Sequence, residues 1–162
     1  MTRVLLAIVL ALGLAGCSRQ PTGPYTGPAV TSIVVHKAAR KLYLLNGNDV
    51  LRSYPIALGF APEGPKRVEL DGRTPEGAYR IWTHNPNSAY HLSLGISYPN
   101  SADVARARAL GKPPGGDIFI HGTPDGKLGT GDWTYGCIAV TNSQIEEIYS
   151  MVRDGTPIFI DP

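Results

Sequence analysis

The sequence predicts a mainly β domain with two short helices. Three observations carry that expectation. At 162 residues, with 43% hydrophobic and 17% charged residues, the chain holds enough apolar material for one compact core. Its 19 Gly and 14 Pro interrupt nearly every apolar run, which favours short strands and structured loops over a helical bundle. Where periodicity is visible it is mostly period two, and only two segments carry helix start and stop signals.

In order along the chain, "VTSIVVHKAARKLYLLNGNDVLRSYPIALG" reads as three strands. β-branched and aromatic residues dominate it, and Asn46-Gly47 is a hairpin turn signal between two of the strands. "DGRTPEGAYRIW" sets a Pro-Glu-Gly turn before a further strand, and "AYHLSLGISYPN" alternates over Tyr90, Leu92, Leu94 and Ile96. In "NSADVARARALG" the Asn100-Ser101 pair caps a helix that Gly111 and Pro113-Pro114 stop, with Arg106 and Arg108 on a solvated face. Ser143 and Glu146 have capping-box spacing ahead of a second helix, whose stripe is Ile145, Ile148, Tyr149 and Val152. Gly155 and Pro157 end that helix, "PIFI" forms a last strand, and no internal repeat or second domain is visible.

The first 17 residues, "MTRVLLAIVLALGLAGC", have one early charge, an apolar run and then small residues, the pattern of a secretory signal. The run is shorter than the roughly 20 residues that span a bilayer. Leu14-Ala15-Gly16-Cys17 resembles the lipobox of bacterial lipoproteins, which implies lipidation of Cys17 and anchoring to a membrane. Ser18 beside it fits outer-membrane sorting. The expected organisation is a signal peptide with lipobox (1–17), a flexible Pro/Gly/Thr-rich tether (18–29) and one exported, periplasmic domain (30–162). The formal net charge of +2 is small and evenly spread, so no nucleic-acid partner is expected.

Cys137 is then the only cysteine of the globular part. It is a candidate nucleophile, with a packed core thiol and a disulfide to Cys17 as the other readings. "GDIFIHG" ends an apolar run in His121, and "GCIAV" begins another at Cys137, so two neighbouring strand ends would bring imidazole and thiol together. The imidazole would take the thiol proton, giving a thiolate reactive well below pH 8, and would later protonate a leaving amine. Gly136 would let a substrate carbonyl approach the amides of Tyr135, Gly136 and Cys137 as an oxyanion site. Gly122 and Gly136 also read as ordinary strand-end turns. Of the other histidines, His91 either points into the same cleft or is a packed or exposed histidine of its strand, His84 lies in a turn-rich loop bonding locally or facing water, and His36 is an exposed strand end. No compact ligand spacing supports a metal site.

With those motifs in place, the chain resembles the L,D-transpeptidase catalytic domain, or YkuD, family. The signature is His-Gly, a loop and Ser/Thr-X-Gly-Cys, met here by His121-Gly122 and Thr134-Tyr135-Gly136-Cys137 with a slightly shorter loop than the commonest form. "RTPEG", "SLGISYPN", "DWTYGCIAVTN" and "GTPIFI" look like the murein transpeptidase subgroup. The resemblance implies a mixed β-sandwich-like fold and attack of Cys137, with His121 as proton acceptor and donor, on a peptidoglycan stem peptide. D-Alanine would leave, and an amine would resolve the thioester. It implies no metal and no cofactor, stem peptides as partners and a monomer. Substrate contacts are expected from Arg73 as a carboxylate partner and Trp133 as an aromatic wall, with a loop-bridging donor and a packed ring as their structural alternatives, and from Gly122, Thr134 and His91. Tyr135 stands where many members have His or Arg, and Ala139 where many have Arg or Asn, which bears on acceptor choice. The rival readings are a hydrolase on the same scaffold and a noncatalytic wall-binding lipoprotein.

Overall fold

The structure, a computed structural model, describes residues 24–123 and 126–162. The expected signal peptide with its lipobox, Cys17 and residues 18–23 of the tether lie outside the described residues. The described residues form β1 (Ser32–His36), β2 (Lys41–Asn46), β3 (Asp49–Pro55), β4 (Gly77–Ser88), β5 (His91–Ile96), α1 (Ser101–Ala109), β6 (Phe119–His121), β7 (Ile138–Ala139), α2 (Asn142–Met151) and β8 (Pro157–Asp161). The mainly β class with two short helices is what the sequence predicts.

The strands join in the order β3-β2-β1-β8-β4-β5-β6-β7. β1 runs parallel to β8 and β6 parallel to β7, and the other neighbours are antiparallel. β4 links two halves, because its first residues pair with β8 and the rest, interrupted by irregularities at Ile81/Thr83 and Asn85/Ser88, pair with β5. Such bulges bend a strand and let a sheet turn. Beyond β3 the chain crosses to the far edge, where Ala57 bridges Ala139 of β7 and Gly59 bridges Thr134. Both halves contribute to one apolar cluster that includes Ile33, Leu42, Ile81, Leu94, Ile120 and Ile138, with Ile145 and Ile148 of α2.

The hairpin at Asn46-Gly47 forms as expected, with Gly47 at φ +57°, a conformation glycine adopts without steric cost. β1 and β2 alternate between buried and part-exposed residues along most of their length. β5 departs from its predicted alternation, since Ser93 and Gly95 are buried as well as Leu94 and Ile96. It is an inner strand between β4 and β6, and α2 packs on it. β4 also runs on through "THNPN", so His84 lies in a strand and reaches Asp154 Oδ1 at 2.6 Å and Val152 O at 3.1 Å, far away in sequence. His36 is an exposed strand end, as expected.

α1 takes its predicted cap, with Asn100 Oδ1 accepting from Asp103 N and Asp103 Oδ2 accepting from Asn100 N. The buried Asp103 carboxylate also accepts the Tyr79 hydroxyl at 3.0 Å and pairs with Arg106. Asp103→Ala therefore loses the side-chain half of the capping box, the pair with Arg106 and the nearer of the two acceptors of the Tyr79 hydroxyl. A destabilisation of about 2 kcal/mol is expected, read as a lower midpoint in urea unfolding. α2 begins earlier than predicted. Its capping box joins Thr141 to Gln144 rather than Ser143 to Glu146. The amides of Val140 and Asn142 are tied to His121 O and Thr123 O, so the chain leaves β7 directly into the helix. No helix among the described residues is long and apolar enough to cross a membrane.

Candidate active site

Parallel pairing of Ile120 with Ile138 and of His121 with Ala139 brings the two strands flanking the glycine-rich loop side by side. Parallel neighbours need a long crossover, and the residues between β6 and β7 supply it. His121 ends β6, and Cys137 immediately precedes β7, two residues before the partner of His121. His121 is buried, while Cys137 is partly exposed and has no disulfide partner among the described residues. Among the described residues no hydrogen bond joins the two side chains. The sulfur is turned toward Asp117 O at 3.4 Å and also receives the Phe119 amide.

Imidazole Nδ1 lies 2.8 Å from Gly122 O. A carbonyl only accepts, so Nδ1 carries the proton and Nε2 is left as the basic nitrogen. Burial pushes the His121 pKa down, partly offset by the Gly122 bond and reinforced by the charge of Lys127. Burial pushes the Cys137 thiol up, with the Phe119 amide and Lys66 opposing that and Asp117 adding to it. Both shifts favour a neutral thiol beside a neutral imidazole, in contrast to the resting ion pair expected from sequence. Iodoacetamide alkylation of Cys137 is accordingly expected to rise with a midpoint above the ordinary thiol pKa. The His121 shift also sets a sign for stability. An unfolded imidazole gains its proton below about pH 6.5 and the folded one resists, so this contribution is full above that pH and is lost as pH falls toward the folded pKa.

The turn carrying the sulfur is fastened by Thr134. Its buried hydroxyl donates to Cys137 O at 2.7 Å and accepts from Gly136 N at 3.2 Å. Thr134, expected to touch substrate, is thus engaged within the turn, and the Gly136 amide is directed inward rather than toward an oxyanion. Thr134→Val leaves a buried amide and carbonyl unpartnered, and at least a tenfold fall in the rate of Cys137 acylation is expected. Gly136 has φ +124°, and a Cβ there would lie 2.6 Å from Arg73 O. A Cβ at Gly122 would lie 2.6 Å from Asn142 Oδ1 and 2.9 Å from Ile145 Cγ2, so this residue lets β6 close onto α2.

The Trp133 ring centroid lies 5.8 Å from that of His121, with Lys127 Nζ 3.9 Å from its centre. Tyr90 completes the enclosure, 4.5 Å from the imidazole, a neighbour that strand alternation alone did not single out. His91 is an exposed residue of β5, the strand alternative rather than the cleft one, and it bonds Glu146 Oε1 of α2 at 2.6 Å. Tyr135 is 69% exposed and meets Phe60, itself 50% exposed, edge to face at 5.3 Å. The Arg73 guanidinium donates to Glu63 O.

Several positioning residues had no sequence signal. Lys37, buried, donates to Gly64 O, Thr74 O and Glu76 Oε1 and so fixes the β3–β4 connection beneath the turn. Asp71 receives the amides of Arg67, Val68 and Arg73 and the ammonium of the buried Lys66. Burial works against its charge, but those donors outweigh it and hold the carboxyl below the usual range. Asp132, within a motif quoted above, is gripped by Arg40 and accepts the Leu58 amide, which sets Trp133 beside the site. Among the described residues no cluster of three or more His, Cys, Asp or Glu side chains is placed to hold a metal.

A family model described as the L,D-transpeptidase catalytic domain matches residues 30–160. The chain is 30% identical over 139 residues to an Escherichia coli K12 protein named "Putative L,D-transpeptidase YafK", covering 83% of this chain and 51% of that one. Among solved structures, the helical cell shape determining protein Pgp2 from Campylobacter jejuni is similar with a TM-score of 0.61 and 25% identity, over 85% of this chain and 49% of that one. Bd1075 from Bdellovibrio bacteriovorus is similar with a TM-score of 0.58 and 27% identity, over 82% and 48%. The chain thus spans about half the length of the relatives it matches.

Proposed function

The chain belongs to the L,D-transpeptidase catalytic domain family, and from that premise we propose that it is a cysteine-dependent acyltransferase acting on peptidoglycan stem peptides. The supporting observation is the parallel pairing of β6 with β7, which sets the nucleophile and a tautomerically fixed base on adjacent chain segments. In this reading the sulfur leaves the Asp117 carbonyl by side-chain rotation and presents its proton to His121 Nε2. As the proton transfers, the sulfur attacks the carbonyl preceding D-alanine, with the amides of Tyr135 and Cys137 receiving the oxyanion. The imidazolium then gives its proton to the leaving amine, so D-alanine departs and a thioester remains. An incoming amine, deprotonated by the same nitrogen, closes the cycle. The chain's own residues supply every proton transfer in that sequence, and no cofactor enters it.

The same proposal places the domain outside the cytoplasm, held to a membrane by lipid on Cys17 and acting as a monomer. Incubating the protein with a disaccharide tetrapeptide, with and without amine acceptors, and weighing the products is the test. A mass gain on Cys137 followed by amine-dependent product supports transfer. Product that forms with water alone assigns hydrolysis, and absence of any Cys137-dependent product overturns the proposal.

A further inference from the structure

A cleft of about 420 Å3 has Trp82, Ser97, Tyr98, Gly116, Asp117 and Phe119 in its lining. Two of those residues hold the nucleophile, since Asp117 O accepts from Cys137 Sγ at 3.4 Å and the Phe119 amide donates to it. The cleft therefore adjoins the reactive turn. Its aromatic wall is built by a strand irregularity. Ile81 pairs with Ile96 and Thr83 with Gly95, which leaves Trp82 as the extra residue between them, the arrangement by which a bulge re-aims a side chain. A Cβ at Gly95 would lie 2.7 Å from Trp82 Nε1 and 3.1 Å from its Cε2, so the indole rests on bare backbone there. Gly95 faces Phe119 across the β5–β6 pairing, and direct partners share a face of the sheet.

Trp82 stays 61% exposed, although tryptophan is on average a well-buried residue. Asp117 is the one charged residue of the lining, and among the described residues its carboxylate enters no ion pair and accepts no hydrogen bond. Trp82 Nε1–H and the Ser97 hydroxyl proton are likewise uncommitted among the described residues, Ser97 Oγ serving only as acceptor for Arg80 N at 2.9 Å. An aromatic surface, an acceptor and two donors thus stand open together. That set discriminates between ligand classes. A peptide carboxylate would meet Asp117, an ammonium could not accept from either donor, and a purely apolar group would leave all three polar groups unpaired. A sugar ring satisfies the set, because its C–H face covers an aromatic ring while its hydroxyl and acetamide groups both donate and accept.

Resting on the peptidoglycan reading above, we infer that this cleft binds an N-acetylated aminosugar of the glycan that carries the donor peptide. The ring stacks on Trp82, one hydroxyl donates to Asp117, and Ser97 and Trp82 Nε1 donate to oxygens at the rim of the same disaccharide. In a disaccharide tetrapeptide the bond before D-alanine lies three residues from the sugar. Three extended residues span about 10 Å, short enough for one face of the domain to hold the sugar and present the acyl carbon to the sulfur. The donor is then recognised as part of a glycan strand and not as a free peptide.

The test is calorimetric titration of the full chain with a neutral N-acetylated aminosugar disaccharide that carries no peptide, which needs no turnover. Saturable binding with a Kd of about 1 mM is expected, with little change between low and high salt because the ligand is uncharged. Trp82→Ala should weaken it by about tenfold, and Trp82→Phe should keep most of it. Asp117→Asn, in which asparagine tolerates the φ of +54°, should weaken it by about threefold. Trp82 and Asp117 are both exposed, and an unchanged melting temperature checks the fold. Absence of saturable binding, or binding untouched by Trp82→Ala, overturns the inference. Displacement of the disaccharide by the amide of N-acetyl-lysine would assign the cleft to an ammonium and overturn it as well. Trp82-dependent binding in a chain without turnover would refute the catalytic proposal and leave the cleft assignment standing, whereas turnover without such binding would do the reverse.

Discussion

Cys137→Ala is expected to bring release of D-alanine and formation of any thioester adduct to background, with the far-ultraviolet spectrum unchanged. His121→Gln should lower the acylation rate by about 10²–10⁴-fold, since an amide keeps a donor for Gly122 O but provides no base. The pair of shifts at the site sharpens this expectation. A neutral thiol transfers its proton during attack, so the rate should depend on His121 being unprotonated and should fall as pH drops through a pKa below the ordinary histidine value. It should not track a preformed thiolate. Product formation measured from about pH 4 to 9 separates the two cases. A rate governed by a thiol pKa well under 8 and indifferent to His121→Gln would contradict the mechanism.

Gly136→Ala is the second large effect, and its cause is steric. The added carbon would meet Arg73 O at 2.6 Å, and the residue would have to hold φ +124°, a conformation that L side chains rarely adopt. Neither partner yields easily, because Arg73 is fixed through Asp71 and the turn through Thr134. A loss of about 2–4 kcal/mol in stability is expected, together with more than 100-fold in activity, as relief of the clash moves the sulfur. Urea unfolding and acylation kinetics of the same preparation measure both. Near-normal kinetics would show that the turn is softer than this packing indicates.

The strands and both helices were legible because their signals are local: the Asn46-Gly47 turn, the Asn100 cap and the apolar stripe of α2. The pairing of His121 with Cys137's segment was legible as a motif, since both residues end apolar runs that frame a glycine-rich loop. Local signals fell short where tertiary context decides. The α2 start shifted because hydrogen bonds from β6 reach past the end of β7. His84 joined a strand by pairing with Leu94 of β5, and its ring is held by Asp154, 70 positions away. Lys37, Lys66 and Asp71 were silent because a buried ion pair inside an irregular connection has no periodicity to betray it. The resting protonation of Cys137 was equally hidden, being set by burial and by the Phe119, Asp117 and Lys66 groups that only folding gathers.

The bridge from Ala57 to Ala139 has an outcome for solubility. β7 contributes only two residues and would otherwise present open main-chain groups to the surroundings, an invitation for another polypeptide to add itself there. Closing that border with the chain's own segment, by paired bonds of 3.0 and 2.8 Å, occupies the main-chain groups an added strand would need, while Cys137 beside it stays partly exposed.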